Sequence, residues 1–370
     1  MTCPKSKPVP GSQPILGSKP NPESQPAQGT ETDQRSKPPS DSKTFASWRD
    51  FVFDPGISFS RKAMEVFTHQ YRHLTHYRRF CDLLGNVPPE HFGQIPLMPV
   101  QVFRDATVRP DYIHRPERIF RSSGTSGMSQ STHEIADLRM YEDSCRRGFN
   151  QFYDPERYAV LAYLPGYSDN PDSSLIAMID HFVRCDRSGL SRFLPLDKPL
   201  GPDTLDEVVE AGKRVMLFGA AFGLLDLIDA GAPELPPESV VVETGGMKTR
   251  RREWSKAALR RQLAEGFGVP EQAVHSEYGM AEMCSQAWDT GTGRFRTPEW
   301  LKITIRNMEN PMECVPEGEQ GLIGVMDLAN VHSLSFFLTQ DMGSLFNDGT
   351  FEVSGRWDHA ELRGCNFLME

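Results

Sequence analysis

Four hydroxyl side chains, Ser122, Ser123, Thr125 and Ser126, stand beside Gly124 and Gly127 in residues 120–129. Glycine lets backbone approach a ligand closely, and Ser and Thr add hydroxyl donors to the amide donors around them. Such a run can wrap a polyphosphate in a nest of N–H and O–H groups. The same composition also makes a flexible surface linker, so the rest of the chain must decide between the two.

Four later stretches carry compatible chemistry. Glu243-Thr244-Gly245-Gly246-Met247-Lys248 is expected at the C-terminal end of a parallel strand, where ligands of such sheets gather, although a plain turn has the same residues. In His275-Ser276-Glu277-Tyr278-Gly279-Met280-Ala281-Glu282, Tyr278 could stack on a base while Glu282 holds Mg²⁺ against phosphate oxygens. The blander alternative is a core tyrosine beside a solvated carboxylate. Asp341 ends an apolar run at Leu338-Thr339-Gln340-Asp341-Met342-Gly343, and a carboxylate there suits the two hydroxyls of a ribose. In the last stretch, residues 355–365, Arg356 offers a planar fork of donors to a ribose oxygen or a phosphate.

The elements that must hold these residues can be read from the pattern around them. Residues 1–43, rich in Pro, Ser, Lys and Gln, have almost nothing to bury and read as a disordered tail. Residues 44–115 form a helical entry region. A helix opens at Ser58 or Ser60 and carries Ala63, Val66 and Phe67 on one face; an aromatic-rich segment follows over 71–84. Pro88, Pro89, Pro96 and Pro99 then force an extended path into Val100–Phe103. Asp137 looks like an N-cap for a helix whose apolar stripe is Leu138, Tyr141, Cys145, Phe149 and Phe152. Strands at 158–164, 214–218, 239–243 and 273–276 alternate with helices at 173–183, 222–230 and 255–267. This is the grammar of a layered α/β body with largely parallel pairing over 116–296. Residues 297–370 change to strands without helices, at 301–306, 322–327 and 334–338. Asn347-Asp348-Gly349 marks a hairpin turn there.

Bulk properties exclude several functions. The tail carries +2, so residues 44–370 carry −12 of the chain's net −10, which argues against nonspecific nucleic-acid binding. No run reaches the roughly 18 apolar residues of a spanning helix, and no secretion signal is evident. Seven scattered cysteines without a C-x-x-C pair suit neither a disulfide framework nor zinc, and a reduced, cytoplasmic protein is the expectation. A P-loop ATPase or kinase is excluded because no Gly-Lys-Ser/Thr follows the glycines.

In this order the motifs resemble the adenylate-forming superfamily of acyl-CoA synthetases, luciferases and peptide-synthetase adenylation domains. In that family a Ser/Thr/Gly loop binds phosphate, a Tyr-Gly-x-Thr-Glu stretch holds AMP and Mg²⁺, an Asp binds ribose, and a Gly-Arg-x-Asp stretch marks the hinge to a C-terminal lid. The runs His133-Glu134-Ile135-Ala136-Asp137-Leu138, Glu243 to Lys248, His275 to Met280 and Arg363-Gly364-Cys365 are similar to its acyl-protein synthetase (LuxE-type) branch. The resemblance covers residues 44–367. It implies an α/β fold like the superfamily's large N-terminal domain, layered α/β with a β-rich subdomain, and the lid domain is expected to be absent.

The resemblance also implies ATP and Mg²⁺ as cofactors and a fatty or other carboxylic acid as substrate. The implied ATP and AMP contacts are Ser122, Ser123, Gly124, Thr125, Ser126, Gly127, Gly245, Gly246, Tyr278, Gly279, Asp341 and Arg356, with Glu282 for the metal. Cys365 is the implied acyl acceptor, nine residues beyond Arg356, a connection that reaches at most about 30 Å; Arg363 beside it would favour its thiolate. Cys284, close after Glu282, is the rival thiol. The implied partner is an acyl-accepting reductase or a carrier protein. Transfer to CoA or a carrier, and a nucleotide-binding scaffold without turnover, are the alternative readings. Three departures stand out: no Lys follows Gly127, leaving charge neutralisation to Mg²⁺, to Lys248 as a catalytic residue beside Glu282, or to another group; Ala281 stands where the superfamily has Thr; and the lid's catalytic lysine is expected to be absent with the lid.

Overall fold

The computed structural model describes residues 47–85, 87–122, 130–164, 170–245 and 255–357. Three helices come first: α1 (Trp48–Phe53), α2 (Phe59–His73) and α3 (Thr75–Leu84). Ser58 caps α2 through the Arg61 amide, and Gly85, in the left-handed region at φ 75°, ends α3. The extended path expected into Val100–Phe103 stops early. Strand β1 is only Met98–Pro99, and Val102–Asp105 turns into the one-turn helix α4. Val102 and Phe103 are both buried in this turn.

A short hairpin, β2 (Arg118–Arg121) and β3 (Thr132–Ile135), flanks the Ser/Thr/Gly run. Then come α5 (Leu138–Phe152), β4 (Tyr158–Tyr163), α6 (Ser174–Cys185), β5 (Arg192–Phe193), α7 (Pro202–Glu210) and β6 (Arg214–Ala220). The α/β part continues through α8 (Ala221–Asp229), β7 (Val240–Thr244), α9 (Lys256–Phe267), β8 (Val274–Tyr278) and β9 (Ala287–Asp289). Asp137, Ser173 and Ser255 cap α5, α6 and α9 through the amides of Met140, Ile176 and Ala258.

Strands β5-β4-β6-β7-β8-β9 form one sheet in that order, parallel except for β9. Alternate residues of its strands enter two different cores. Ala159, Leu161, Val215, Leu217 and Val241 pack with α7, α8 and α9. Val160, Ala162, Met216, Phe218 and Val242 pack against α5 and α6. Burial on both faces is why these strands read as continuous apolar runs, without alternation.

The second sheet contains β10 (Leu301–Arg306), β11 (Gln320–Asp327), β12 (Phe336–Leu345) and β13 (Phe351–Arg356), joined by β1. It is antiparallel apart from β1, which pairs Met98 with Phe337 and Pro99 with Leu338. Strand β12 runs well past the expected 334–338, because its polar second half, through Ser344, is held by main-chain pairing to β11 and β13.

Candidate active site

The C-terminal ends of β7 and β8 come out side by side, since Thr244 is in register with Glu277. Gly245 leaves β7 at φ 83°, a conformation only glycine adopts without strain. The Thr244 hydroxyl donates to the Glu277 carboxylate. The other Glu277 oxygen packs on Gly279, leaving no room for a Cβ there. Burial pushes Glu277 up to about 7, with the Thr244 bond opposing it. Burial likewise raises Glu243, against hydrogen bonding from Ser276 and the Lys256 charge.

Tyr278 fastens this edge to the second sheet. Its hydroxyl donates to Asp341 Oδ2 at 3.0 Å, and Arg356 Nε donates to Asp341 Oδ1 at 3.3 Å. Asp341 and Arg356 are directly paired across β12 and β13. The Tyr278 ring packs near Phe295 and Phe351, with centroids 5.8 and 5.7 Å away. Burial and the neighbouring Asp341 charge lift its phenol well above the usual range.

A third group gathers at the neck of the hydroxyl-rich run. Ser122 N donates to Ser131 O at 3.1 Å, and Ser131 N donates to Ser122 Oγ at 3.0 Å. The Ser131 hydroxyl donates to Glu282 Oε1. His133, kept neutral because burial lowers it to about 4, donates from Nδ1 to the Ala281 carbonyl at 2.8 Å. Asn330 Nδ2 donates to the Glu282 carbonyl at 2.8 Å, and Asn330 O accepts from the buried Gln70 at 2.9 Å. Burial raises the Glu282 carboxyl, Ser131 pulls it back, and the charges of Arg356 and Asp341 reach it.

The structure thus brings Ser122, Gly245, Tyr278, Gly279, Glu282, Asp341 and Arg356 to one edge. Ser123, Gly124, Thr125, Ser126, Gly127, Gly246, Lys248 and Cys365 lie outside the described residues. Cys284 is not a reactive thiol: it is buried, and burial pushes it well above the usual range. Among the described residues no group of three or more His, Cys, Asp or Glu could hold a metal ion. A single carboxylate such as Glu282 nevertheless suits Mg²⁺, which keeps waters and takes phosphate oxygens for its remaining positions. Sequence reasoning gave no role to Ser131, Thr244, Glu277 or Asn330. Thr244 and Glu277 lie inside stretches the motifs already mark, Glu243–Lys248 and His275–Glu282; nothing local marks Ser131 or Asn330.

No protein-family profile matches the chain. A curated relative, the long-chain-fatty-acid–luciferin-component ligase of Vibrio harveyi, is 20% identical over 331 residues, covering 84% of this chain and 86% of that protein. Two solved structures of 2-hydroxyisobutyryl-CoA ligase share the fold. The open conformation with 2-HIB-AMP and CoA matches at a TM-score of 0.55, with 17% identity over 81% of this chain and 69% of that one. The postadenylation state with R3-HIB-AMP matches at 0.57, with 16% identity over 88% and 73%. The chain therefore has the fold of the large N-terminal domain of adenylate-forming enzymes, and in sequence it is similar, over most of both chains, to an acyl-protein synthetase of the LuxE type.

Proposed function

We propose that the chain activates a carboxylic acid with ATP. A carboxylate oxygen attacks the α-phosphorus, the bond to the β-phosphate breaks, and acyl-AMP and pyrophosphate form. The observation carrying this reading is the Tyr278–Asp341–Arg356 contact, which joins the parallel sheet's ligand edge to a carboxylate aimed from the second sheet. Asp341 accepts one bond on each oxygen, and a carboxylate has about four lone-pair sites. Two therefore remain for the hydroxyls of a ribose. Gly245 and Gly279 would let the base lie against backbone, and Ser122 with the hydroxyls after it would take phosphate. Glu282 would hold Mg²⁺, which when bound would offset phosphate charge. Positioning and charge neutralisation are the main sources of rate in such a displacement.

The finer reading is a long-chain fatty acid as substrate and a protein thiol as acceptor. A thiolate attacks the acyl carbon of acyl-AMP, AMP leaves, and a thioester forms on Cys365. The name of the Vibrio harveyi relative supports the acid, and Arg363-Gly364-Cys365 supports the acceptor. With ATP, Mg²⁺ and labelled fatty acid, hydroxylamine-sensitive label is expected on the protein and is lost in Cys365→Ser while acyl-adenylate persists. Label that survives Cys365→Ser would move the acceptor elsewhere. Absence of acyl-adenylate by mass spectrometry would remove the activation step itself.

A further inference from the structure

We propose that Ser131 is a positioning residue that aims the Glu282 carboxylate at the metal–nucleotide. The proposal rests on the adenylation reading above. Ser131 is nine-tenths buried, at 9% exposure, and its three polar groups all engage the site. Its main chain exchanges two bonds with Ser122, and its hydroxyl donates to Glu282. The rest of the 281–282 turn is held separately. His133 takes the Ala281 carbonyl and Asn330 the Glu282 carbonyl. Backbone position and side-chain direction thus have different partners: beyond Glu282's own amide, the Ser131 hydroxyl is what holds the carboxylate's direction.

The residue type is what this task requires. A neutral hydroxyl fixes one oxygen of the carboxylate without cancelling the negative charge that a divalent cation needs, whereas Lys or Arg would cancel it. A hydroxyl has a single hydrogen to donate, so it engages only one carboxylate oxygen. Position 281 is alanine, so the turn itself supplies no hydroxyl, and Ser131, just before β3, delivers one from outside the motif. Partners of metal ligands typically matter by about 10–100-fold in metal affinity.

The test is calorimetry of the full chain with Mn²⁺·ATP and, separately, with AMP without metal, backed by the Mn²⁺ spin-resonance signal. Ser131→Ala should weaken Mn²⁺·ATP by about tenfold or more and change metal-free AMP binding less than about twofold. Ser131→Thr should restore the parent affinity. If Ser131→Ala does not stay folded, Ser131→Cys, nearly isosteric and a weak donor, should show the same split. Unchanged Mn²⁺·ATP affinity overturns the proposal, as do equal losses for both ligands, which would mark a merely structural role. A parent protein that binds neither ligand overturns the adenylation reading, and the assignment of Ser131 falls with it.

Discussion

Glu277, in β8, and Glu282, a few residues past its end, are both buried, yet their surroundings differ. Glu282 lies at the loop neck with Ser131, while Glu277 is sealed against Thr244 and Gly279. The sealed carboxyl has a stability consequence. Its folded pKa of about 7 lies above the unfolded value near 4.5, so the folded state keeps a proton the unfolded state has lost. Stability from this group therefore falls as pH rises from about 4.5 to about 7, and the full cost applies above that. Glu277→Gln, which keeps an acceptor for Thr244, should gain up to about 3 kcal/mol at pH 8.5 and little at pH 4.5. Urea unfolding at the two pH values checks this; an equal effect at both would contradict it. The thiols divide in a similar way. Among the described residues Cys185 and Cys314 are exposed, whereas Cys81, Cys145 and Cys284 are buried. Burial pushes Cys81 up to about 12. A maleimide pulse read by mass spectrometry should modify the first pair quickly and the other three only in denaturant.

Among the elements, those whose sequence carries its own cap and stripe were legible. Asp137 with Tyr141, Cys145 and Phe149 announces α5, and Ser255 with Gly268 brackets α9. The two-sided burial of β4, β6 and β7 makes their apolar runs plain. What was missed depends on partners far away in sequence. The second half of β12 is polar and becomes a strand through its neighbours. The β2–β3 hairpin is too short to alternate convincingly, and α7 offered Pro202 at its first turn as its main signal. The site was legible in the same measure. Tyr278, Glu282, Asp341 and Arg356 could be named because each ends or follows a readable strand, but Ser131 acts across a distance of 151 residues that spacing cannot reveal. The register between β12 and β13 shifts at Gly343, where a Cβ would run into the Glu352 carbonyl. Gly343→Ala should cost roughly 1–3 kcal/mol and loosen Arg356 from Asp341. A thermal midpoint unchanged from the parent would show that the strands can give way freely.

Across the whole molecule, the net charge of −10 sets a condition on nucleotide binding. An acidic chain that binds ATP needs local neutralisation, and Glu282 offers a carboxylate for a divalent cation. EDTA should abolish ATP–pyrophosphate exchange and excess Mg²⁺ should restore it; exchange that survives EDTA would remove Glu282 from that role. Among the described residues no helix is long and apolar enough to cross a membrane. The most direct measurement is pyrophosphate exchange by the purified chain across a chain-length series of carboxylic acids, with Asp341→Ala in parallel. The expected result is acid-dependent exchange with an optimum among long-chain fatty acids, and a loss of about tenfold or more in Asp341→Ala, the scale set by hydrogen bonds to a charged group. Binding of ATP with no exchange for any acid would contradict it and leave a nucleotide-binding scaffold.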